Sequence, residues 1–293
     1  MQRFEYLRAN TVEEAVSFLA LYKGVAKLLA GGTDLVPGIK NEILAPQCLV
    51  DVKALPDLDA IRCDGEGLRL GALTRIRAIE TSFLLQHTRP FNILAQAAGT
   101  LGSVQIRNRA TIGGNLCHAS PSADMAPALM ALKATVHLQG PAGKRTAPVE
   151  AFFTGPGETI IGPDEILTEI RASTPSSPRS AGVYIKHCPR GAMDLAVVGV
   201  AVVVFVSPDS SFCSDIRIAL GGVAPTPVRA RRAETALRGQ RLDDALVETA
   251  SQVAARDSSP ISDVRASAEY RRAMVAVLTG RAIKQAWAAG DSG

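Results

Sequence analysis

Two glycine pairs, Gly31-Gly32 and Gly113-Gly114, are the residues whose type and placement first suggest chemistry in this chain. Each pair follows an apolar run and precedes small polar residues. Glycine lets the backbone adopt positive φ and lets another group come close to its amides. Successive N–H groups in such a turn form a concave anion site, to which a following helix N-terminus contributes. Two such loops facing each other would hold one long phosphate-bearing ligand from both sides.

Each glycine pair alone is also compatible with an ordinary tight turn, and the familiar nucleotide-binding motifs are absent. No G-x-G-x-x-G sequence follows a predicted strand, because Gly155-Pro156-Gly157 is followed by Ile160 where the third glycine would stand. Gly143-Lys144 lacks the upstream glycine and the following Ser or Thr of a Walker A loop. The sequence therefore does not support a Rossmann dinucleotide fold or a P-loop.

Metal ligands and nucleophiles are not marked either. The chain has no C-x-x-C and no ferredoxin-like cysteine spacing, so we do not expect it to bind an iron–sulfur cluster. Cys117-His118 is a lone neighbouring pair, which we interpret as a buried thiol beside a polar loop residue. A triad of distant residues stays open from sequence, but we predict no catalytic residue and no metal ligand in this chain.

Size and composition predict about two domains with a substantial core. The chain has 293 residues and a mass of 30.8 kDa, and 47% of its residues are hydrophobic. Only 4% are aromatic, so Val, Ala, Leu and Ile must supply most of the core. The net charge of +4 is mild, and no basic stripe or stacking aromatic set is present, which argues against nucleic-acid binding.

We expect a cytoplasmic protein. The N-terminus shows no apolar signal-peptide core and no small-residue cleavage site. The longest apolar run, residues 195–206, is too short to span a bilayer and predicts a buried strand or two strands that meet. The five cysteines are odd in number and widely spaced, which suits a reducing compartment better than a disulfide framework.

The first half of the chain predicts alternating short helices and strands. Thr11 followed by Glu14 forms a capping box ahead of a helix over residues 12–22. The other elements predicted here are strands at 27–30 and 49–52, a helix over 35–41 with Thr33 or Asp34 as its N-cap, a hairpin that pairs 61–63 with 68–70, a short helix capped by Thr74, and helices at 92–100 and 124–132.

The second half predicts a linker and a second domain. Residues 173–180 are polar, contain two prolines and form the best linker candidate in the chain. The predicted elements are strands at 135–138, 166–170, 183–187, 196–206 and 215–220, a hairpin tip at 140–143, and helices at 229–238, 242–255 and 267–287. We predict an α+β protein with a first domain over 1–175, divided into subdomains of about 1–56 and 57–175, and a second domain over 181–288.

Several longer strings carry a resemblance to a known family. They are Ala30-Gly31-Gly32-Thr33-Asp34-Leu35, Ile106 to Asn115 with its continuation Ser120-Pro121-Ser122-Ala123-Asp124, Tyr184-x-Lys186, Arg190, Asp194-Leu195-Ala196, Ala219 to Pro227 and Tyr270 to Val275. Together they resemble the FAD-binding medium subunit of the molybdenum hydroxylases, which include xanthine dehydrogenases, aerobic carbon monoxide dehydrogenase and related aldehyde and N-heterocycle dehydrogenases. The resemblance extends to about residue 287.

The resemblance implies a two-subdomain FAD-binding fold of the vanillyl-alcohol-oxidase (PCMH) type, followed by a smaller α+β C-terminal domain. FAD would lie extended, with the first loop around its pyrophosphate and ribityl chain and the second loop on the other side. The cofactor-binding residues so implied are Leu29, Ala30, Gly31, Gly32, Thr33, Asp34, Leu35, Thr111, Gly113, Gly114, Asn115, Asp124, Ile161 and Lys186.

The resemblance implies a specific role for each of three of these residues. Asp124 would accept hydrogen bonds from sugar or ribityl hydroxyls, and its alternative role is an N-terminal helix cap. Ile161 would pack near the flavin or adenine rings. Lys186 would lie near the flavin edge, or else be a solvated lysine at a strand end. Arg107 and Arg109 could pair with the diphosphate, but roles in solvent or at a partner are equally open.

The function implied by the resemblance is electron transfer. A large partner subunit would oxidise the substrate at a molybdenum cofactor, and two-iron clusters of a small partner would pass the electrons to FAD in this chain. A dimer of heterotrimers is the implied assembly. The organic substrate and the acceptor, among NAD, quinone, ferredoxin and oxygen, stay open.

Two features of the sequence distinguish this chain from particular branches of the family. One branch carries an insert with cysteines for a four-iron cluster, and no such cysteines follow Asp124 here. The first loop reads Gly31-Gly32-Thr33-Asp34, as in bacterial forms with separate subunits. The alternatives to the electron-transfer subunit are a stand-alone FAD-dependent oxidoreductase of the same fold and a flavin-free scaffold subunit.

Overall fold

A computed structural model describes residues 3–175, 177, 179–191, 193–209 and 212–291. The chain forms three successive units, each built on its own sheet. The fold class is α+β, as the sequence predicts. No described helix is long and apolar enough to cross a membrane.

The N-terminal unit is a three-stranded parallel sheet in the order β1-β3-β2. Its elements are β1 (Glu5–Arg8), α1 (Val12–Tyr22), β2 (Ala26–Leu29), α2 (Leu35–Lys40) and β3 (Cys48–Asp51). The Thr11 half of the capping box is confirmed, since the Thr11 hydroxyl accepts a hydrogen bond from the Glu14 backbone N–H at 3.1 Å, whereas the Glu14 carboxylate accepts one from the Asn10 N–H at 2.7 Å. Because parallel strands present their carboxyl ends at one edge, the first glycine pair, directly after β2, lies at that edge.

The middle unit is a five-stranded antiparallel sheet packed against short helices. Its strand order is β4-β5-β10-β6-β7, and β8 pairs separately with β9. The elements are β4 (Ile61–Asp64), β5 (Gly67–Gly71), α3 (Ile76–Thr81), α4 (Phe83–His87), α5 (Asn92–Thr100), α6 (Val104–Arg107), α7 (Ile112–His118), α8 (Met125–Ala131), β6 (Thr135–Gly140), β7 (Gly143–Pro148), a 3₁₀ turn (Val149–Ala151), β8 (Phe153–Gly155), β9 (Glu158–Thr159) and β10 (Ile166–Ser173). All seven residues of α8 are buried, so this helix forms the centre of the unit.

The C-terminal unit places a four-stranded antiparallel sheet against three helices. Its elements are β11 (Ser180–His187), β12 (Val198–Val206), β13 (Cys213–Gly221), β14 (Val228–Arg229), α9 (Arg231–Leu237), α10 (Asp244–Asp257) and α11 (Ala268–Asp291). The strand order follows the chain. Every residue of β12 is buried, which explains why this strand is rich in valine and confirms the predicted buried strand.

Two local predictions are wrong. Thr74 does not cap a helix: α3 begins after Arg75, and the Thr74 hydroxyl instead donates to the Ala60 carbonyl at 3.3 Å. The second glycine pair does not form a turn, because Gly113 and Gly114 lie in the first turn of α7 without positive φ.

The predicted linker is shorter than expected, because Ser173 ends β10 and Ser180 begins β11. Ser176 and Pro178 of this segment lie outside the described residues. The other predicted strands and helices are present, with ends displaced by a few residues.

Candidate functional site

The two glycine segments meet in the structure through their backbones. A Cβ atom on Gly31 would lie 2.3 Å from the carbonyl oxygen of Arg109 and 3.0 Å from the Cα of Ala110. Only glycine allows this approach at Gly31. Its neighbour Gly32 has φ +73°, a conformation that residues with a side chain rarely adopt. The first loop therefore needs both glycines, one for the close contact and one for its backbone shape.

The first turn of α7 is held by contacts within the chain. Thr111 caps the helix, and its hydroxyl accepts a hydrogen bond from the Gly114 N–H at 3.1 Å. The Gly113 N–H donates to the Ala72 carbonyl at 2.9 Å. These two amides are not free, so the prediction of a nest of unpaired N–H groups at the second pair is wrong.

Next to these amides, the surface is open for a ligand. Gly114 is exposed, and outside its own helix backbone and its chain neighbours a Cβ there would meet only the Thr111 hydroxyl, at 2.9 Å, among the described residues. The side-chain Oδ1 of the adjacent Asn115 is buried and has no hydrogen-bond partner among the described residues. A buried amide oxygen without a donor is costly, so this oxygen is available to accept a hydrogen bond from a ligand.

The remaining residues of the first loop lie partly open beside this surface. The Asp34 carboxylate approaches His118 Nε2 at 3.7 Å and so connects the loop to the end of α7. Asp34 occupies the N-cap position of α2, but its side chain makes no capping hydrogen bond. It is exposed, whereas the half-buried residues are Leu29, Ala30, Gly31, Gly32, Thr33 and Leu35.

Asp124 lies in a buried polar cluster with two residues of β11. Its Oδ1 accepts a hydrogen bond from the Tyr184 hydroxyl at 2.8 Å, and its Oδ2 accepts one from Lys186 Nζ at 2.9 Å. Lys186 Nζ also donates to the Thr100 carbonyl at 3.0 Å. The alternative of a solvated Lys186 is wrong, because its side chain is only 5% exposed. Asp124 occupies the N-cap position of α8, as the capping alternative has it, but its side chain makes no capping hydrogen bond.

The cluster has distinct electrostatics. Burial raises the pKa of Asp124, while the Lys186 charge and the hydrogen bonds from Lys186 and Tyr184 act in the opposite direction. Burial and the neighbouring carboxylate raise the pKa of Tyr184 well above its ordinary value. Tyr184 therefore stays protonated and acts as a hydrogen-bond donor.

Ile161 is half-buried in a segment that the middle unit holds next to α7. The Gly157 N–H donates to the Ala119 carbonyl at 2.9 Å, directly after that helix. Arg145 binds the Ile160 carbonyl at 2.8 Å and the Glu165 carboxylate at 2.6 Å. These contacts fix the backbone on both sides of Ile161.

Arg107 and Arg109 have different surroundings. Arg107 is buried, and its guanidinium binds Glu80 at 2.7 Å and the Leu101 carbonyl at 2.9 Å. Its charge is used within the fold, which argues against the diphosphate and solvent roles. Arg109 is exposed, and its backbone carbonyl packs against Gly31. Burial raises the pKa of the Cys117 thiol to about 12, in keeping with the interpretation of a buried thiol.

Tyr184 is the principal residue that the sequence analysis did not assign to the site. In the sequence it stands out only as the first residue of the Tyr184-x-Lys186 string. The spacing carried a signal, since residues i and i+2 of a strand face the same side, so both side chains reach Asp124. No group of three or more His, Cys, Asp or Glu among the described residues could hold a metal ion. The arrangement is built to bind and orient a ligand.

Comparisons with known proteins identify the ligand class. A family described as "FAD binding domain in molybdopterin dehydrogenase" matches residues 2–172. The chain belongs to this family of FAD-binding medium subunits. A second family, "CO dehydrogenase flavoprotein C-terminal domain", matches residues 183–286. The resemblance, the fold class and the FAD-binding electron-transfer function predicted from sequence are thereby confirmed.

Individual relatives agree over nearly the whole chain. The carbon monoxide dehydrogenase medium chain of Hydrogenophaga pseudoflava is 36% identical over 98% of both chains. The xanthine dehydrogenase FAD-binding subunit of Escherichia coli O157:H7 is 33% identical over 97% of this chain and 96% of its own. A solved structure of the Hydrogenophaga carbon monoxide dehydrogenase gives a TM-score of 0.93 over 98% of both chains. The chain is thus the FAD-binding subunit of a multi-subunit molybdenum oxidoreductase.

Proposed function

We propose that the surface between the first glycine loop and α7 holds one FAD non-covalently. The observation that supports this most directly is the unpartnered, buried Asn115 Oδ1 beside the open face of Gly114. The contact of Gly31 with the Arg109–Ala110 backbone places the first loop alongside the same surface. Thr111 and Gly113 would shape the second side, and the segment from Leu29 to Leu35 would wrap the pyrophosphate.

Three further residues complete the proposed site. Asp124 would accept hydrogen bonds from ribityl or sugar hydroxyls, since a carboxylate is an acceptor only. Lys186, held by Asp124 and Thr100, would lie near the flavin edge with one N–H left to donate. Ile161 would supply apolar contact to a ring. We assign no histidine or cysteine to a covalent flavin link.

Bound FAD accepts electrons singly and releases them as a pair, and the protein binds, orients and tunes it. We propose that a small [2Fe-2S] subunit supplies the electrons, that a large molybdenum-cofactor subunit oxidises the substrate, and that an external acceptor receives the electrons. The proposed assembly is a dimer of heterotrimers in the cytoplasm. We also propose that the chain divides into an FAD-binding domain over 1–175, with subdomains of about 1–56 and 57–175, and a C-terminal domain over 181–288.

The flavin content of the purified complex tests the proposal. We expect one FAD per copy of this chain, released completely into the supernatant by acid precipitation. A colourless protein would favour the flavin-free scaffold. A yellow acid precipitate would show a covalent link and contradict the non-covalent part.

A further inference from the structure

The two oxygens of the Asp124 carboxylate are held by one strand of the C-terminal unit. Asp124 itself belongs to the middle unit, directly before α8, whereas Tyr184 and Lys186 lie on β11. The Tyr184 hydroxyl donates to Oδ1 at 2.8 Å, and Lys186 Nζ donates to Oδ2 at 2.9 Å. Asp124 and Tyr184 are 4% and 7% exposed. Since each oxygen has its own donor, the orientation of the carboxylate is defined by both.

Gly199 provides the space for the Tyr184 hydroxyl. It lies on β12, whose other residues are Val, Ala and Phe, and it pairs with Lys186 across the sheet. A Cβ on Gly199 would lie 2.7 Å from the hydroxyl oxygen but 3.5 Å from Cζ of the ring. Gly199 does not have positive φ, so its backbone conformation does not require glycine. The Tyr184 hydroxyl therefore occupies the space that a side chain at position 199 would fill.

The backbone of Tyr184 is also fixed against the middle unit. The Tyr184 N–H donates to the side-chain oxygen of Gln96 at 2.9 Å, and the Gln96 amide nitrogen donates to the Gly182 carbonyl at 3.3 Å. Gln96 lies on α5, as does Thr100, which binds Lys186. Hydrogen bonds to the middle unit therefore hold Tyr184 at both its backbone N–H and its hydroxyl.

We propose that Tyr184 is a positioning residue for FAD. Its hydroxyl fixes the Asp124 carboxylate in the orientation and the ionised state that accept hydrogen bonds from the hydroxyls of the cofactor. Gly199 leaves the space that the Tyr184 hydroxyl needs. This inference rests on the proposed contact between Asp124 and FAD. It assigns to the C-terminal unit a role in cofactor retention beyond that of Lys186.

The geometry has a consequence for pH. The groups that face the Asp124 carboxylate are Tyr184 and Lys186 on β11 and Thr100 on α5. Burial raises the pKa of Asp124, and hydrogen bonding from Tyr184 and Lys186 opposes that rise. Removal of the Tyr184 hydroxyl therefore raises the pKa of Asp124 further. Because only the carboxylate accepts at both oxygens, the acid decline of FAD affinity moves to higher pH.

The test is a double-mutant cycle in the assembled complex, with the FAD dissociation constant measured by flavin fluorescence across pH. Tyr184→Phe should weaken FAD binding by about 5- to 20-fold at neutral pH and move the acid decline upward. Gly199→Ala should have a similar effect, because the added methyl displaces the hydroxyl. The double variant should bind FAD no more weakly than Tyr184→Phe alone, since the methyl then meets only ring carbon at ordinary contact distance.

A matched control removes a tyrosine hydroxyl from the same unit. The Tyr270 hydroxyl contacts His187 at 3.0 Å on the surface, away from Asp124, so Tyr270→Phe should leave FAD affinity unchanged. Three results would overturn the inference: wild-type affinity and pH profile in Tyr184→Phe, multiplicative losses in the double variant, or weaker binding with an unmoved acid decline, which would indicate a merely structural role. Asp124→Asn with wild-type FAD affinity would instead contradict the proposed contact between Asp124 and FAD, whereas a complex without flavin would contradict the proposed function as a whole.

Discussion

Gly113 and Gly114 are adjacent in sequence but have different neighbours. A Cβ on Gly113 would lie 2.7 Å from the Ala72 carbonyl oxygen and 2.9 Å from the Ala72 Cβ, both within the buried core of the middle unit. A Cβ on Gly114 would project from the surface beside the Thr111 hydroxyl. The fold therefore requires glycine at Gly113, whereas the proposed cofactor contact requires it at Gly114.

Alanine substitutions at the two glycines should separate these requirements. Gly114→Ala should change the free energy of unfolding by no more than about 1 kcal/mol, because the methyl displaces the Thr111 hydroxyl from its capping position while alanine favours the helix. It should nevertheless weaken FAD binding at least tenfold. Gly113→Ala should destabilise the fold by about 1–3 kcal/mol through overpacking. Chemical denaturation and flavin content measure the two effects, and normal FAD affinity in Gly114→Ala would remove this glycine from the site.

The same pair of glycines shows why some residues could not be placed from sequence. Glycine has low helix propensity, so the sequence predicts a turn at Gly113-Gly114. The structure places them in a helix because Thr111 caps it and Ala72 packs against Gly113. Ala72 is distant in sequence, and its contribution has no local signal. The Thr11 cap, by contrast, involves only residues within one turn and was predictable.

At the scale of elements, α6 is held in place by a buried arginine. Arg107 binds Glu80 on α3, and Arg77 binds the same carboxylate at 2.9 Å. The chain that leaves α6 continues into the Arg109–Ala110 backbone against which Gly31 packs. The Glu80 carboxylate thus supports the position of the first glycine loop from the middle unit.

Glu80→Gln should lower the free energy of unfolding at pH 7 by about 1–2 kcal/mol. Although burial alone raises the pKa of Glu80, the hydrogen bonds from Arg77 and Arg107 bring that pKa below its ordinary value. A lowered folded-state pKa gives stability above the unfolded pKa, and this stability is lost as pH falls through the folded pKa. The difference between variant and wild type should therefore shrink in acid, as measured by urea denaturation.

Glu66→Gln is the matched control for this pair. Glu66 also pairs with an arginine, Arg69, but its side chain is 76% exposed. We expect its substitution to change stability by less than about 0.5 kcal/mol. A loss in Glu66→Gln as large as that in Glu80→Gln would contradict the importance of burial at Glu80.

Strand pairing marks the limit of prediction for elements. The hairpin from β4 to β5 follows from local sequence, because its strands are joined by a short turn. The placement of β10 between β5 and β6 does not, since these strands are far apart in the chain. The contact of Asp124 with β11 has the same non-local character, and the family resemblance predicted only that Asp124 and Lys186 would each lie near the cofactor.

At the scale of the whole molecule, the arginine cluster from Arg229 to Arg232 is not a free basic surface. Arg229 is buried and binds Glu234 through two hydrogen bonds of 2.6 and 2.8 Å. Arg231 binds Glu150 in the middle unit at 2.7 Å, and Arg232 pairs with Asp257. The Arg229–Glu234 pair is internal to the C-terminal unit, and the more exposed Arg231 and Arg232 each already have a carboxylate partner.

The chain's own residues also define what it can do without partners. The chain is one subunit of a multi-subunit molybdenum oxidoreductase, and its family match is to the part that binds FAD. We therefore expect this chain to co-purify with a large molybdenum subunit and a small iron–sulfur subunit. Separated from them, the flavin-loaded chain should show only slow diaphorase activity, passing electrons from added NADH to artificial dyes, and it should hydroxylate no organic substrate.

Reconstitution measures this dependence directly. Substrate turnover should appear only when both partners are added back to the flavin-loaded chain, because the molybdenum centre and the clusters precede FAD in the electron path. The matched control is the same mixture with the chain stripped of FAD. This mixture should oxidise only as much substrate as the molybdenum centre and the clusters of the partners can accept electrons from, and then stop. Sustained hydroxylation by the pure chain, with molybdenum and iron shown to be absent by elemental analysis, would contradict the assignment as an electron-transfer subunit.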